Sequence, residues 1–360
     1  MRPTGFLYEG ALVALLPVAV SAPQWREGGL VALVDRGENA ERRSPAGLRS
    51  QLIRYRGYRT PGAQPPRVTL PAARVTLLLG WGEPLHIHRG SNRSGAVEHW
   101  SSMVAGPQTA ALLAGYQGAG YAIEVEFTPL GAHTCLGLPL NHLADAVLHP
   151  DDVMGAGWTA RITERIAVAP DWHSRWAIID STLANRLADG PPVPPVVIEA
   201  WHALWSSHGA LTPSELAQRS GRGSRRLQTL FREYIGIPPQ TLSRIIRFQH
   251  TLKIPPQDYR SLAELAATSG YHDQAHMNRD FRALAGRTPG QLRPLADRAA
   301  LAGAGHDSCF TDFFAGHEHL PRGYASPGTP PPRCGPAGQA PPPGRTAPTG
   351  NGAPARGTRR

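Results

Sequence analysis

The sequence predicts an α+β chain: a β-rich N-terminal part, an all-α part holding two copies of one two-helix unit, and a disordered tail. Three observations predict it. Residues 1–135 carry short apolar runs and period-two alternation punctuated by Gly and Pro, the pattern of strands. Residues 212–240 and 261–293 repeat one set of landmarks: a cap, a turn glycine, an apolar helix face, and a closing Gly followed by Pro. Residues 301–360 hold 11 Pro and 11 Gly, too little apolar surface to offset the entropy of ordering them.

Taken in order, residues 10–20 and 30–34 are short apolar runs, and residues 51–58 alternate imperfectly. Residues 75–79 (VTLLL) read as a core strand between Pro71 and Gly80. In residues 121–127, Glu124 and Glu126 fall on one side and Ile123, Val125 and Phe127 on the other, the period of a half-buried strand. Helical spacing begins near residue 138, with Leu140, Leu143, Ala144, Val147 and Leu148, then Ile162 and Ile166, then a helix over 176–187. Strands followed by helices make residues 1–188 an α+β sensor or assembly domain. Residues 189–195 (DGPPVPP) are a Pro-rich linker. Residues 196–299 form the all-α domain, opened by a helix with Trp201, Leu204 and Trp205 as its packing face, and residues 300–360 form the tail.

Within the all-α part, Ser261 with Glu264 three residues on makes a capping-box pattern, and Gly270 breaks the helix that follows. Asp273 caps a second helix whose inner face is Met277, Phe281 and Leu284. Gly286 and Pro289 stop it. Its outer face is Gln274, Ala275, Asn278, Arg279 and Arg282, amides and guanidiniums of the kind that bond base edges and phosphates. Upstream, Thr212, Pro213 and Glu215 open the equivalent first helix, and Ser220-Gly221 turns it. Ser224 is expected to cap the second, with Leu227, Leu230, Phe231 and Tyr234 inward and Arg225, Arg226, Gln228, Thr229 and Arg232 outward. Each pair reads as a helix-turn-helix, which places its second helix in a major groove. A central helix over about 239–252 joins the units, packed by Ile245, Ile246 and Phe248; Arg244 and Arg247 on it serve either the DNA backbone or internal ion pairs.

The region 196–298 resembles the double helix-turn-helix domain of the AraC/XylS family of bacterial transcription regulators. The resemblance rests on Ser224-x-x-Leu227-x-x-x-Phe231, Gly236-x-Pro238-Pro239, Arg247, Gly270-Tyr271-x-Asp273-Gln274-x-His276, Phe281, Gly286 and Thr288-Pro289. Arg222-Gly223 departs from the family's usual first turn, so the first recognition helix is expected to be less firmly anchored. Leu70-Pro71, Gly106-Pro107-Gln108, Phe127-x-Pro129-Leu130-Gly131-Ala132, Gly137-x-Pro139 and Asp152-x-x-Gly155 resemble an N-terminal domain of some such regulators. The resemblance implies a sequence-specific regulator of double-stranded DNA, with an N-terminal domain that senses a small molecule or forms a homodimer. Arg225, Gln228, Thr229, Gln274, Asn278 and Arg279 are then the candidates for base edges. Ser224, Arg226, Arg232 and Arg282 are the candidates for phosphates, which position without specifying.

Charge agrees with a polyanionic partner. Of the formal net charge of +10, residues 195–300 alone hold +6. The three cysteines, Cys135, Cys309 and Cys334, form no CxxC pair, so neither a zinc finger nor a disulfide framework is indicated and a reducing, cytoplasmic setting is expected. Residues 10–25 resemble a signal peptide in composition, but Glu9 before the run and Pro17 within it favour a buried strand pair. No run is long enough for a membrane span. His86-Ile87-His88 on a strand puts two imidazoles on one face, and Gly80-x5-His86-x-His88 resembles the opening of a cupin metal motif. That leaves a cupin-like metalloenzyme domain fused to a DNA-binding module as the rival reading. The expected Glu is replaced by Ser91, Asn92 and Arg93, so no metal or cofactor is predicted. Asp171-Trp172-His173-Ser174 contains the residue types of a triad but not its spacing, and GYQGAG at 115–120 lacks the Lys-Ser/Thr of a phosphate loop. No catalytic residue is predicted.

Overall fold

A computed structural model describes residues 39–60, 62, 67–89 and 97–293. The runs at 10–20 and 30–34, the tail at 300–360, Cys309 and Cys334 lie outside the described residues.

Among the described residues, ten strands build two antiparallel sheets. The larger runs β1 (Asn39–Arg43), β2 (Leu52–Thr60), β9 (Gly120–Phe127), β4 (Val75–Gly80), β7 (Ser102–Ala105) and β10 (Val147–Leu148). The smaller runs β3 (Arg67–Thr69), β8 (Leu112–Tyr116), β5 (Leu85–Arg89) and β6 (Val97–Trp100). β4 reads as the sequence suggests: Val75, Leu77 and Leu79 face one way and are fully covered. That outer face, with Tyr55, Ile123, Val125 and Phe127, packs under α1 (Pro129–Leu136), α3 (Trp158–Val168) and α4 (Trp172–Asp189). The short α2 (Pro150–Met154) precedes α3. The inner face meets the smaller sheet through Leu78, Met103, Leu85, Ile87 and Tyr116.

Three expectations need correction. Helix begins at Pro129, inside the part read as β-rich and ahead of the expected start near residue 138, because Thr128 caps it by accepting from Gly131 N–H. Leu140–His142 is a 3-10 turn and Val147–Leu148 is a strand paired with β7, not the helix their spacing suggested. The apolar residues there follow a path set by nonlocal pairing, which outweighs a short helical period. The third concerns β9: Glu126 is 0% exposed, so the strand is covered on both faces. Its glutamates face guanidiniums between the sheets, not water.

All described residues belong to one compact unit. Past residues 190–194 come α5 (Pro195–Ser206), α6 (Pro213–Arg219), α7 (Ser224–Ile235), α8 (Pro239–Lys253), α9 (Leu262–Thr268) and α10 (Gln274–Ala285). Their apolar faces form one cluster, and Ile53, Leu70, Ala72, Ala73 and Leu130 of the β-rich part join it. Trp201 and Trp205 lie in this core, their rings 5.5 Å apart.

The turns in the rejected constellations are structural. Asp171 caps α4, accepting from Ser174 N–H at 2.7 Å. Residues 117–119 are the hairpin between β8 and β9. On β5, Leu85 and Ile87 face the space between the sheets, so His86 and His88 point to the opposite face, where His86 sits beside His99 with ring centres 4.2 Å apart. Among the described residues, no three His, Cys, Asp or Glu are grouped to hold a metal ion. No helix there is long and apolar enough to cross a membrane.

Candidate nucleic-acid interface

The first unit is α6, a turn, and α7. Thr212 and Glu215 complete a capping box: Glu215 N–H donates to Thr212 Oγ1 at 3.2 Å and Thr212 N–H donates to Glu215 Oε2 at 2.8 Å. Gly221 takes the turn at φ 61°. The expected Ser224 cap is not made. Gly223 is the cap residue, with no side chain to offer, and Ser224 is the first helical residue. Leu227, Leu230 and Phe231 point inward and are buried. Tyr234 is half-buried, its ring 4.6 Å from that of His133. Ser224, Arg225, Arg226, Gln228, Thr229 and Arg232 are all exposed. Ser224, Gln228 and Arg232, one turn apart from each other, share a shallow groove with Pro213 and Gln240. Thr229 donates its hydroxyl back to the Arg225 carbonyl at 3.2 Å.

The second unit is α9, a turn at Gly270, and α10. Ser261 accepts from Glu264 N–H at 3.1 Å, but the Glu264 carboxylate accepts from Arg260 N–H at 2.6 Å, so the box is shifted by one residue. Asp273 caps α10, accepting from His276 N–H at 2.6 Å, and these bonds hold its carboxyl below the usual range. Met277, Phe281 and Leu284 are buried. Gln274, Ala275, Arg279 and Arg282 are exposed. Asn278 is half-buried and its Oδ1 is covered without a hydrogen-bond partner, which sets it apart from its neighbours on the outer face.

α8 fixes the two units together. Arg244 Nε donates to Asp280 Oδ1 at 2.9 Å, Arg247 donates to the Gly209 carbonyl at 3.0 Å and stacks over Tyr271, and Phe248 meets Phe281 at 4.6 Å. Both arginines therefore serve internal contacts. Asp280 was missed in the sequence, although its place one turn after Met277 marks it as inward-facing.

The β-rich part touches both second helices. α7 packs on Leu140–His142 and α1. Ala111 N–H donates to the Leu284 carbonyl at 2.8 Å, and Gln249 donates to the Pro71 carbonyl at 2.9 Å. These contacts use the ends and inner sides of the helices and leave the outer arginines in solvent.

A cavity of about 210 Å³ lies between the two sheets. Leu78, Leu85, Ile87 and Met103 give it apolar walls, and Tyr58 and Tyr116 meet there hydroxyl to hydroxyl at 3.1 Å. Burial pushes the Tyr116 hydroxyl up to about 12. At the other end Glu126 binds Arg54 through two bonds of 2.9 and 3.0 Å and Arg56 at 3.2 Å. Burial alone would raise the Glu126 carboxyl; Arg74, Arg54 and Arg56 outweigh it and hold it far below the usual range.

Residues 216–295 match the family model described as a helix-turn-helix domain. The chain is 28% identical over 151 residues to the HTH-type transcriptional regulator GlxA of Rhizobium meliloti (strain 1021), covering 40% of this chain and 46% of that protein. It thus spans about half the length of that curated relative. Among solved structures, ToxT from Vibrio cholerae aligns with 10% identity and a TM-score of 0.37, over 67% of this chain and 97% of ToxT. ToxT bound to (E)-4-(8-methylnaphthalen-1-yl)but-3-enoic acid aligns with 9% identity and a TM-score of 0.36, over 67% and 98%. The match at 216–295 takes in both paired units from Leu216 onward, so this region carries a helix-turn-helix domain.

Proposed function

We propose that the chain is a sequence-specific DNA-binding regulator of transcription, with α7 and α10 entering successive major-groove segments on one face of the duplex. The observation that carries this reading is the pair of exposed polar faces, one per unit, fixed to a common helix. Arg225, Gln228, Thr229, Gln274 and Arg279 then read bases, and Asn278 joins them by turning its covered amide outward. Ser224, Arg226, Arg232 and Arg282 meet phosphates. Residues 1–188 form the sensing part, 189–195 the linker, 196–299 the reading part and 300–360 an appended tail. The cavity between the sheets is the site of a small-molecule effector. No catalytic step enters this reading.

The test is selection of duplexes bound by the full chain from a random pool, followed by affinity measurements over a range of salt. The expected result is an enriched site with two separated conserved blocks and an affinity that falls steeply with salt. A bound pool that stays random in sequence refutes base reading.

A further inference from the structure

The charged end of the cavity does not balance. Three guanidiniums, Arg54, Arg56 and Arg74, surround two carboxylates, Glu124 and Glu126. Glu41 comes within 3.8 Å of Arg54, but it is 45% exposed and belongs to the rim. Glu126 is occupied by Arg54 and Arg56, and Glu124 by Arg56 at 2.7 Å. Arg74 is what remains. It is 7% exposed and lines the cavity, and its nearest carboxylate oxygen, Glu126 Oε1, stands 3.6 Å away and already accepts from both other arginines. Among the described residues Arg74 makes no hydrogen bond. An arginine keeps its charge and offers five donors, and leaving them unmet in a buried place is costly. Of the charged side chains on the cavity wall itself, Arg56 and Arg74 face a single carboxylate, Glu124.

We propose that this cavity takes a small organic monocarboxylate with a compact apolar body, the carboxylate held in the fork of Arg74 and the body against Leu78, Leu85, Ile87 and Met103. The class follows from the site. One excess positive charge calls for a monoanion, and a planar guanidinium pairs with a carboxylate through two parallel bonds. Leu78, Leu85, Ile87 and Met103 form an apolar stretch of wall that suits a compact apolar body, and a polyanion would bring more negative charge than the single excess positive charge offsets. The proposal rests on the reading of the cavity as the effector site.

The experiment measures binding to the purified full chain by calorimetry. The probes are two carboxylates, hexanoate and phenylacetate, and their neutral isosteres, hexanamide and phenylacetamide. At least one carboxylate should bind about tenfold or more tightly than its amide. Arg74→Met should remove that preference while the amide binds as before. Ala114→Leu fills the cavity and leaves Arg74 in place; it should weaken acid and amide alike. Circular dichroism confirms that both variants are folded, and Arg74→Lys serves as a second charge-retaining variant that should keep part of the preference. Equal binding of acid and amide overturns the carboxylate assignment and leaves the cavity reading intact. Preference for the acid that survives Arg74→Met, or no binding of either acid, also overturns the assignment. Binding that ignores Ala114→Leu places the ligand elsewhere and overturns the cavity reading itself.

Discussion

Gly236 and Gly286 end α7 and α10, and their comparison isolates the contact between the β-rich part and the reading units. Both are left-handed, at φ 92° and 69°. Substituting alanine at either therefore carries a backbone penalty of roughly 1–2 kcal/mol. Their surroundings differ. A Cβ at Gly286 meets nothing within 4 Å, whereas a Cβ at Gly236 falls 2.9 Å from the Leu140 carbonyl oxygen and 3.3 Å from Pro107. The first neighbour is backbone and cannot swing aside, so the seam itself must yield, an overpacking cost of roughly 1–3 kcal/mol. Gly286→Ala should thus lose about 1–2 kcal/mol, and Gly236→Ala about 2–5 kcal/mol. Urea unfolding at matched protein concentration reads both from the shift in midpoint at constant slope. The difference between the two variants is the informative quantity, because the shared backbone term cancels. If the two lose the same stability within about 0.5 kcal/mol, Gly236 does not face Leu140 and the seam is drawn wrongly.

Arg279→Ala should relax preference at one base position, costing roughly 1–3 kcal/mol against the correct base, while Arg282→Ala should weaken specific and random duplexes alike and make the salt slope shallower by about one. Titrations on the selected site, its single-base variants and random DNA separate them, and a uniform loss for Arg279→Ala removes it from the base readers. The depressed Glu126 carboxyl contributes stability that is fully present above its ordinary value of 4.5 and is lost as pH falls from there toward its folded value. Glu126→Gln should therefore lower the urea midpoint at pH 7 and flatten its fall between pH 5 and pH 3; an unchanged acid limb contradicts the ion cluster. Burial pushes the Cys135 thiol up to about 12, so mapped alkylation at pH 8 should leave it unlabelled in the native chain and labelled in urea. Rapid native labelling would show that the α1–α4 packing opens.

The paired units were legible because their signals are local. Caps, turn glycines and a three-to-four residue apolar period all lie within thirty residues of one another, and Thr212, Asp273, Gly236 and Gly286 do what their types suggest. Ser224 misled because Ser and Gly are both accepted at a cap, and the chain uses Gly223. The sites that were missed depend on distant partners. Glu124 and Glu126 alternate with apolar residues as a solvent face would, and only Arg54, Arg56 and Arg74, fifty or more residues away in sequence, show that the polar side is interior. Asp280 follows the inward-facing Met277 by one turn, but its partner Arg244 lies on another helix, 36 residues away. His86 and His99 sit opposite one another by hairpin register, a pairing invisible to a motif read along the chain.

Two short strips of backbone serve both the cavity and the reading units. Leu70 and Ala72 line the cavity while packing in the core of α5–α10, and Pro71 between them accepts from Gln249. Gln108 and Leu112 line it while Ala111 holds the end of α10. Any occupant whose affinity depends on where these strips lie is thermodynamically linked to whatever else moves them. Such linkage is reciprocal: the factor by which the occupant changes DNA affinity equals the factor by which DNA changes the occupant's affinity. A factor of ten in either direction corresponds to about 1.4 kcal/mol of coupling free energy, within the typical range for two sites joined through a protein. The sign of that coupling can accordingly be measured from the small-molecule side, by comparing occupant affinity with and without saturating DNA.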